Sequence, residues 1–525
     1  MNERGRARFA RWLPPLAVAA IAFGAIRSAM LPGIGFWDTG ELQTVAPIMG
    51  TAHPTGYPTY VLLGWLVNLV LTPFGEPALR MNLFAGLCVA LAAGVTVDLV
   101  RALTRSTALG VITGLGLALT QVAWAIGTQA EAHALHLAFL VILFRMLFAW
   151  EERVSAVRIA TTAEERAARR TSADRWLVVT AVVFGLSMGN HSLTLLLAPA
   201  VGLFVLAVDP GIVHRPRLIA ACATALALTV VVVFLELPLR GGPFRAPLVY
   251  GSPQTWAGFW YVVLGAQFQD AVSGPLTDIG PKLADLVDRA AAGFGPLAIL
   301  LPVGFVVAAF RRPTYAILSG VAMFVTCAFA TSYTNGDIDR YYLGPTFIAW
   351  TWMALLGGEL ATLLRHRRDP DPDPRAARQR PDPVVAGVLA AALLLPTLLA
   401  VPNRLASVDR STDVTARAWV ERALARMRRD AVVISWWSYS TPLWYAQHVE
   451  GRRPDIAIID DRTRLDEGLG ELTDVIDAYL PSRPVYVIRI EPDEIDELQR
   501  DYLLEPTDGP TPAFLTRVVR RIPGR

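Results

Sequence analysis

The sequence predicts a multi-pass α-helical membrane protein with about eleven transmembrane helices, interfacial helices and a C-terminal soluble α/β domain. Of its 525 residues 53% are hydrophobic and only 18% are charged, and the mean hydropathy is +0.41. A soluble chain usually carries about 25% charged residues. Apolar runs long enough to cross a bilayer recur up to residue 401, whereas residues 402–525 alternate between strand and helix patterns. This composition excludes an ordinary soluble enzyme, a disordered chain and a disulfide scaffold.

The predicted spans follow from the length needed to cross the membrane, about 20 apolar residues in a helix. They are 13–30, 81–100, 107–126, 134–150, 176–189, 192–208, 218–235, 292–310, 314–331, 341–363 and 383–401. The first span resembles a signal peptide, but no small-x-small cleavage site precedes Pro32, so we interpret it as an uncleaved anchor. The apolar stretch 56–72 is assigned to the membrane interface instead.

The arginines decide the orientation of these spans through the positive-inside rule. If 56–72 does not cross, every arginine-rich segment falls on one side: the N-terminus, 101–105, 151–175, 215–217, 311–312 and 365–380. The N-terminus is then cytoplasmic, and 364–382 is a cytoplasmic linker. The long segments 31–80, 236–291 and 402–525 are extracytoplasmic. The predicted location is a bacterial inner or plasma membrane, with a transmembrane domain over 1–401.

The C-terminal region, residues 402–525, has the pattern of an α/β domain. β-branched residues predict strands at 431–435, 455–460 and 484–490, and helical patterns occupy 413–428, 441–449 and 470–479. Because strands alternate with helices, a small and mostly parallel sheet is expected.

The richest group of candidate functional residues lies in the first extracytoplasmic segment, at 36–60. Asp38 and Glu41 are three residues apart and share a face if the segment is helical, and His53 follows in a turn-rich stretch. Carboxylates beside an imidazole suit general-base chemistry on a hydroxyl group. The alternative is that the Asp-x-x-Glu pattern is a capping box at a helix start.

Further polar residues occur where predicted spans meet the same side. Glu131, His133 and His136 lie where the third span ends and the fourth begins, and their spacing fits no trusted metal motif. They are interpreted either as functional residues or as polar groups that contact water at the end of an interfacial helix. Asn190 and His191 form the outer turn between the fifth and sixth spans, or simply a polar turn.

Arginines and aromatic residues complete the set on the outer side. Arg240 is positioned either to bind a phosphate or to snorkel to lipid headgroups. The loop containing Asp337, Asp339 and Arg340 is followed by Tyr341 and Tyr342, and such loops usually hold solvated ion pairs. Trp256 and Trp260 mark an amphipathic helix on the membrane. Since all these residues face one side, the sequence predicts a reaction at the outer face, reached laterally from the lipid.

Several motifs in this arrangement resemble the family known as domain of unknown function 2723. They are Asp38-Thr39-Gly40-Glu41, Ala52-His53-Pro54-Thr55-Gly56-Tyr57-Pro58, Arg80-Met81-Asn82, Glu131, Gly189-Asn190-His191, Leu237-Pro238-Leu239-Arg240, Pro442-Leu443-Trp444-Tyr445 and Glu450-Gly451 with Arg453-Pro454-Asp455. That family is similar to the GT-C superfamily of membrane glycosyltransferases, and one animal branch of the family is a protein O-mannosyltransferase. Thr39 and Thr55 stand where serine and proline are commoner.

The resemblance implies a glycosyltransferase that takes a sugar, with mannose as the candidate, from a polyprenyl-phosphate-linked donor by an inverting displacement. It makes Asp38 the base and gives Glu41 and His53 positioning roles. Arg80, Arg240 and Arg340 would neutralise the leaving phosphate. The remaining substrate-binding candidates are Glu131, His133, Asn190, His191 and Tyr342.

The implied partners are the lipid-linked donor, a protein, lipid or glycan acceptor, and membrane lipids. A nucleic acid partner is not expected, because the net charge is only +3. No cofactor is required by this chemistry, since the leaving group is already a phosphate, although a divalent metal remains compatible with it. Two other hypotheses fit the sequence: a transporter or flippase of lipid-linked sugars, and a non-catalytic assembly protein.

Overall fold

The computed structural model of the chain describes residues 3–368, 381–466, 468–489, 492–507 and 515–523. Up to residue 408 these residues form seventeen α-helices joined by short 3-10 turns. The helices are α1 Glu3–Ser28, α2 Trp37–Ile48, α3 Pro58–Val70, α4 Pro77–Thr104, α5 Thr107–Ala118, α6 Gln121–Gly127, α7 Ala132–Arg158, α8 Ala163–Asn190, α9 Ala198–Val208, α10 Pro216–Phe234, α11 Glu236–Gly241, α12 Trp256–Val263, α13 Ile279–Phe294, α14 Leu301–Arg311, α15 Pro313–Ala330, α16 Leu343–Arg368 and α17 Pro383–Val408.

Seven helical segments of the described chain are long and apolar enough to cross a membrane, and an eighth span is possible if α5 and α6, which meet at 66°, count as one. They are Pro77–Thr104, Ala132–Arg158, Pro216–Gly241, Ile279–Arg311, Pro313–Ala330, Ile338–Arg365 and Pro383–Val408. The predicted multi-pass helical fold is confirmed, with fewer qualifying spans than the eleven expected.

The three remaining predicted spans are helical but fall short of that criterion. The apolar run of α1 lies between Arg11 and Arg27, and the first half of α8 is charged. Residues Ser192–Val208 form a shorter apolar helix. A count made from apolar runs alone therefore exceeds the number of helices that have both the length and the apolarity to span.

Helix α3 supports the decision to leave 56–72 out of the spans. It has 13 residues, which corresponds to a length of about 20 Å, whereas the hydrocarbon core is about 30 Å thick. A helix this short suits the membrane interface better than a crossing.

Proline and glycine explain where these helices begin and how closely they pack. Helices α3, α4, α10, α15 and α17 each begin with proline, whose fixed φ suits the first turn and whose missing N–H has no partner to lose there. At Gly94, Gly110 and Gly114 an added Cβ would lie within 3 Å of a backbone oxygen of another helix. Small residues at these crossings allow α1, α4 and α5 to approach closely.

The described residues of the C-terminal region form a five-stranded sheet in the order β2-β1-β3-β5-β4. The strands are β1 Val432–Ser435, β2 Ala457–Asp460, β3 Val485–Val487, β4 Tyr502–Pro506 and β5 Thr516–Arg521. The helices of this region are α18 Thr415–Arg426, α19 Trp437–Trp444, α20 Asp461–Asp466, α21 Leu472–Tyr479 and α22 Pro492–Asp501.

The predicted strands at 431–435, 455–460 and 484–490 are confirmed as β1, β2 and β3. Strand β1 pairs in parallel with both β2 and β3. The sheet is mixed rather than mostly parallel, because β5 pairs antiparallel with both β3 and β4. Residues 516–521 were missed because three of the six are arginines, a composition that does not indicate a strand. Every residue of β1 is buried, as expected for a strand that lies between two parallel neighbours.

The domain boundary at residue 401 and the linker at 364–382 stay predictions. Helix α17 continues past residue 401 to Val408, and α16 extends to Arg368. Most of the linker, residues 369–380, lies outside the described residues.

Candidate active site

A cavity of about 1130 Å³ lies between the first loop, the start of α7, the segment before α16 and the C-terminal region. Its wall includes Asp38, His53, Glu131, His133, Arg340 and Trp437. Side chains separated by up to 399 residues in sequence therefore meet at one site.

Asp38 lies in the first turn of α2, where the partial positive charge of the helix N-terminus favours a carboxylate. The capping-box alternative is wrong, because Phe36 is the N-cap and makes no side-chain cap hydrogen bond. The Oδ1 atom of Asp38 accepts a hydrogen bond from Trp437 Nε1 at 3.0 Å. Its Oδ2 atom lies 3.6 Å from Arg340 Nη2, which is beyond normal hydrogen-bond length.

Glu41 lies on the same helix but points to the His53 segment. Its Oε1 atom accepts a hydrogen bond from the His53 backbone N–H at 2.7 Å, and its Oε2 atom pairs with His53 Nδ1. The other ring nitrogen, Nε2, is 3.2 Å from the hydroxyl of Tyr57. Both oxygens of Glu41 are occupied, and the side chain is 1% exposed. Its role in this geometry is to fix the His53 ring against the cavity.

Glu131 is buried at the start of α7 and joins two parts of the site. It caps the helix by accepting a hydrogen bond from the His133 backbone N–H, and the same oxygen bonds His133 Nδ1 at 2.9 Å. Its second oxygen accepts a hydrogen bond from Arg340 Nη1 at 2.6 Å. Burial alone would raise the pKa of Glu131, but the Arg340 guanidinium and His133 lower it well below its usual value. The carboxylate therefore stays ionised near neutral pH.

Three histidines, His133, His136 and His191, lie side by side next to the Glu131–Arg340 ion pair. The ring centroids of His133 and His191 are 4.5 Å apart, and those of His136 and His191 are 5.7 Å apart. His191 accepts a hydrogen bond from the Leu193 backbone N–H at Nδ1, so the proton of the neutral ring is on Nε2. Burial, with additional effects of the neighbouring histidines, lowers the pKa of His191 well below its usual value. Its ring is consequently neutral at physiological pH.

Two predicted substrate-binding arginines have other partners and do not line the cavity. Arg80 donates to the carbonyl oxygens of Gly75 and Asn68. Arg240 donates to the carbonyl oxygens of Met49 and Ile48 and so caps the end of α2. The structure gives both residues backbone contacts instead of a place in the cavity wall, because exposed carbonyls at helix ends need donors.

Asn190 and Tyr342 also lie outside the cavity wall. Asn190 is fully buried and donates to the carbonyl oxygen of Ala132, which fixes the start of α7. Tyr342 contacts Asp285, and Arg289 stacks over its ring at 4.4 Å. The neighbouring Tyr341 lines the cavity in its place. The adjacent positions in a helical turn point in different directions, so sequence alone did not separate the two tyrosines.

Arg340 makes the expected pair within its loop and a second pair that the sequence did not predict. It bonds the exposed Asp337 at 2.5 Å and the buried Glu131 at 2.6 Å, and its own side chain is only 17% exposed. Asp339 of the same loop is mostly exposed. Trp437 was missed altogether by sequence reasoning. The available signal was its position just after a predicted parallel strand, since functional residues favour the carboxyl ends of such strands.

No group of three or more His, Cys, Asp or Glu side chains arranged to hold a metal ion occurs in the described parts of the chain. The histidines next to Glu131 are therefore interpreted through their hydrogen bonds and ring contacts.

Comparison with known proteins finds a family match over part of the chain and a shared fold over nearly all of it. Residues 38–210 match the family model described as protein O-mannosyl-transferase TMEM260 N-terminal domain. Protein O-mannosyl-transferase TMEM260 of Mus musculus is 30% identical over 250 residues, which cover 46% of this chain and 32% of the mouse protein. The match thus spans about a third of the length of that relative.

The likeness to solved structures extends over nearly the whole chain. ArnT from Cupriavidus metallidurans bound to undecaprenyl phosphate superimposes with a TM-score of 0.54 at 14% identity, covering 99% of both chains. The chain has the GT-C fold. The Archaeoglobus fulgidus oligosaccharyltransferase, in complex with Zn and sulfate, gives a TM-score of 0.52 at 15% identity and covers 90% of this chain and 68% of that one.

The GT-C fold was predicted from the resemblance of the sequence motifs, and these comparisons confirm it. The family match begins at Asp38 and includes Glu41, His53, Glu131, His133 and His191. Arg340 and Trp437 lie beyond it, so their place in the site comes from the fold rather than from the matched region.

Proposed function

We propose that this protein is a membrane glycosyltransferase that moves a sugar from a polyprenyl-phosphate-linked donor to an acceptor hydroxyl on the extracytoplasmic side. The proposal is supported by the match of residues 38–210 to an O-mannosyl-transferase domain. It is also supported by the GT-C fold, shared with a protein solved bound to undecaprenyl phosphate. Mannose is the proposed sugar because of the family match.

The observation that carries the proposed mechanism is the difference between the carboxylates around the cavity. Glu41 and Glu131 are almost fully buried, and each oxygen has a hydrogen-bond partner. Asp38 is 30% exposed at the cavity. Among the described residues no hydrogen bond is made to its Oδ2 atom, so this atom is available to receive a proton.

In this mechanism Asp38 Oδ2 takes the proton of the acceptor hydroxyl as that oxygen attacks the anomeric carbon of the donor. The bond between the anomeric carbon and the phosphate oxygen breaks, and the electron pair leaves with the polyprenyl phosphate. A single displacement of this kind inverts the anomeric configuration. Arg340, 3.6 Å from Asp38 Oδ2, is the proposed group that stabilises charge developing on the leaving phosphate.

Replacing the proposed base gives the decisive test. Purified protein in lipid vesicles is supplied with radiolabelled undecaprenyl-phosphate-mannose, and membranes from cells lacking the protein serve as the acceptor source. We expect Asp38→Asn to reduce transfer at least about 100-fold while the melting temperature stays close to that of the wild type. Asp278→Asn, an exposed carboxylate outside the cavity, is the matched control and should retain activity. Wild-type turnover by Asp38→Asn would exclude Asp38 as the base.

A further inference from the structure

The indole ring of Trp437 makes a contact with the proposed base that neither the family match nor the sequence motifs include. Trp437 is the first residue of α19, two positions after the end of β1, and is 2% exposed. Its Nε1–H donates to Asp38 Oδ1 at 3.0 Å. We propose that Trp437 is a positioning residue that holds the Asp38 carboxylate in its reactive orientation. This inference rests on the proposed function of Asp38.

The orientation of the indole is fixed by the rings around it. Trp437 makes edge-to-face contacts with His53 at 5.6 Å, Tyr250 at 6.0 Å and Trp444 at 5.4 Å between ring centroids. These rings come from the first loop, the long second loop and the C-terminal region. Edge-to-face packing restricts rotation of each ring, so the N–H bond has one direction, toward Asp38.

The helix that carries Trp437 is itself held against the helix that carries Asp38. Gly40 of α2 faces Thr441 of α19 so closely that a Cβ on Gly40 would lie 2.8 Å from Thr441 Oγ1. One turn further, the hydroxyl of Tyr445 accepts a hydrogen bond from the backbone N–H of Ala78 at 3.0 Å. The C-terminal region is therefore docked on the first loop at the point where the base is presented.

The two oxygens of Asp38 are distinguished by this contact. Oδ1 accepts the indole N–H, which leaves Oδ2 to face the acceptor hydroxyl. A hydrogen bond donated to a carboxylate favours its charged form, and only the charged form acts as a base. Trp437 thus sets the direction of the Oδ2 lone pairs toward the cavity.

The other charged and titratable groups that line the cavity with Asp38 come from five segments: the first loop, the start of α7, the turn after α8, the segment between α15 and α16, and the C-terminal region. They are His53, Tyr57, Glu131, His133, His191, Tyr333, Asp337, Asp339, Arg340, Tyr341, Arg410 and Asp413. A change confined to the Trp437 N–H leaves all of them in place. A shift in the pH dependence of transfer after that change is therefore assignable to the hydrogen bond.

The test is the pH profile of kcat/KM for Trp437→Phe, measured with undecaprenyl-phosphate-mannose as donor. We expect kcat to fall about tenfold and the acidic limb to move up by about one pH unit, since each donor lost from a carboxylate has an effect of this order. The KM for the donor should change little. Trp436→Phe is the matched control, because the adjacent indole donates to Glu494 at 3.3 Å and not to Asp38; its acidic limb should coincide with that of the wild type.

A second variant separates the hydrogen bond from packing. Incorporation of benzothienylalanine at position 437 keeps the shape of the ring and replaces the N–H by sulfur, so it applies even if Trp437→Phe does not fold. An unshifted acidic limb in this protein overturns the inference and leaves the proposed function standing. Absence of transfer by the wild type overturns both. A shift in this variant without a shift in Trp436→Phe supports the positioning role.

Discussion

At the scale of single residues, burial and hydrogen bonding give three nearby carboxylates different roles. Glu41 holds His53, Glu131 holds Arg340 and His133, and Asp38 keeps one oxygen toward the cavity. The sequence does not separate them, since each is an acidic residue beside an apolar run. The difference is consistent with the high cost of burying a charged oxygen without a hydrogen-bond partner, a cost that a partly exposed carboxylate avoids.

Glu131 gives a prediction about stability. Glu131→Gln removes the charge that pairs with Arg340 at 2.6 Å, so we expect a loss of about 3 kcal/mol in the free energy of unfolding, typical of a broken buried pair. Unfolding in detergent measures it. Glu152→Gln is a suitable control because Glu152 is about half exposed, with Arg145 at 3.4 Å; an exposed pair contributes about 1 kcal/mol or less.

The pH dependence of that loss follows from the pKa of Glu131 in the folded protein. Burial raises this pKa, but Arg340 and His133 lower it by more, so the net shift is downward. An unfolded glutamate has a pKa of about 4.3. Ionised Glu131 therefore stabilises the fold above about pH 4, and the contribution fades as the pH falls below that value. The difference in melting temperature between wild type and Glu131→Gln should narrow between pH 6 and pH 3. A difference that widens toward acid contradicts this assignment.

At the scale of helices, the site depends on the contact between α2 and α19. Helix α2 carries Asp38 and α19 carries Trp437. Small side chains where the two helices meet allow them to lie close together. Arg240, predicted to bind substrate, instead caps the end of α2 through the carbonyls of Ile48 and Met49. Its contribution in this structure is to the position of the helix that carries the proposed base.

Gly40 gives a test of this helix contact. In Gly40→Ala the new Cβ would lie 2.5 Å from the Gly35 carbonyl oxygen and 2.8 Å from Thr441 Oγ1, so the helices must separate. We expect a loss of stability of about 1–3 kcal/mol together with reduced transfer. Gly24→Ala is the control, because apart from its chain neighbours and the backbone of its own helix no heavy atom of the described chain lies within 4 Å of its Cβ position. Equal behaviour of the two variants in thermal unfolding and transfer would show that the contact is not tight.

At the scale of the whole molecule, the proposed function requires the cavity and the C-terminal region to share one side of the membrane. They are joined directly: Arg417 of α18 pairs with Glu76 at 3.0 Å, and the Arg410 backbone N–H donates to the Ala29 carbonyl at 2.9 Å. The arginine distribution predicts that this side lies outside the cytoplasm. The same distribution predicts that residues 151–175 lie inside.

Cysteine labelling tests this orientation. Cys88, Cys222 and Cys327 are first replaced by alanine, and a single cysteine is introduced at Ser411 or at Glu164, both exposed. We expect a membrane-impermeant maleimide to label the Ser411→Cys protein in intact cells, and the Glu164→Cys protein only after permeabilisation. Labelling of position 164 alone in intact cells would reverse the orientation and remove the basis for an extracytoplasmic reaction.

Much of the site was predictable because its residues are polar in apolar surroundings. Asp38, His53, Glu131, His133, His191 and Arg340 all stand out this way, and all line the cavity. Arg80 and Arg240 stand out equally, yet they bind backbone carbonyls. Polarity at a predicted membrane surface shows that a residue needs partners, but it does not show whether those partners are backbone groups, other side chains or a substrate.

The sequence by itself determined the multi-pass helical character of the protein and three strands of the C-terminal sheet, because hydrophobic periodicity and span length are local properties of the chain. Only the tertiary structure decided that the Oδ2 atom of Asp38 has no hydrogen bond to the described residues, that Tyr341 rather than Tyr342 lines the cavity, and that Trp437 contacts Asp38. These depend on contacts between segments up to 399 residues apart. The direction of a hydrogen bond across such a contact is set by packing, which no local pattern records.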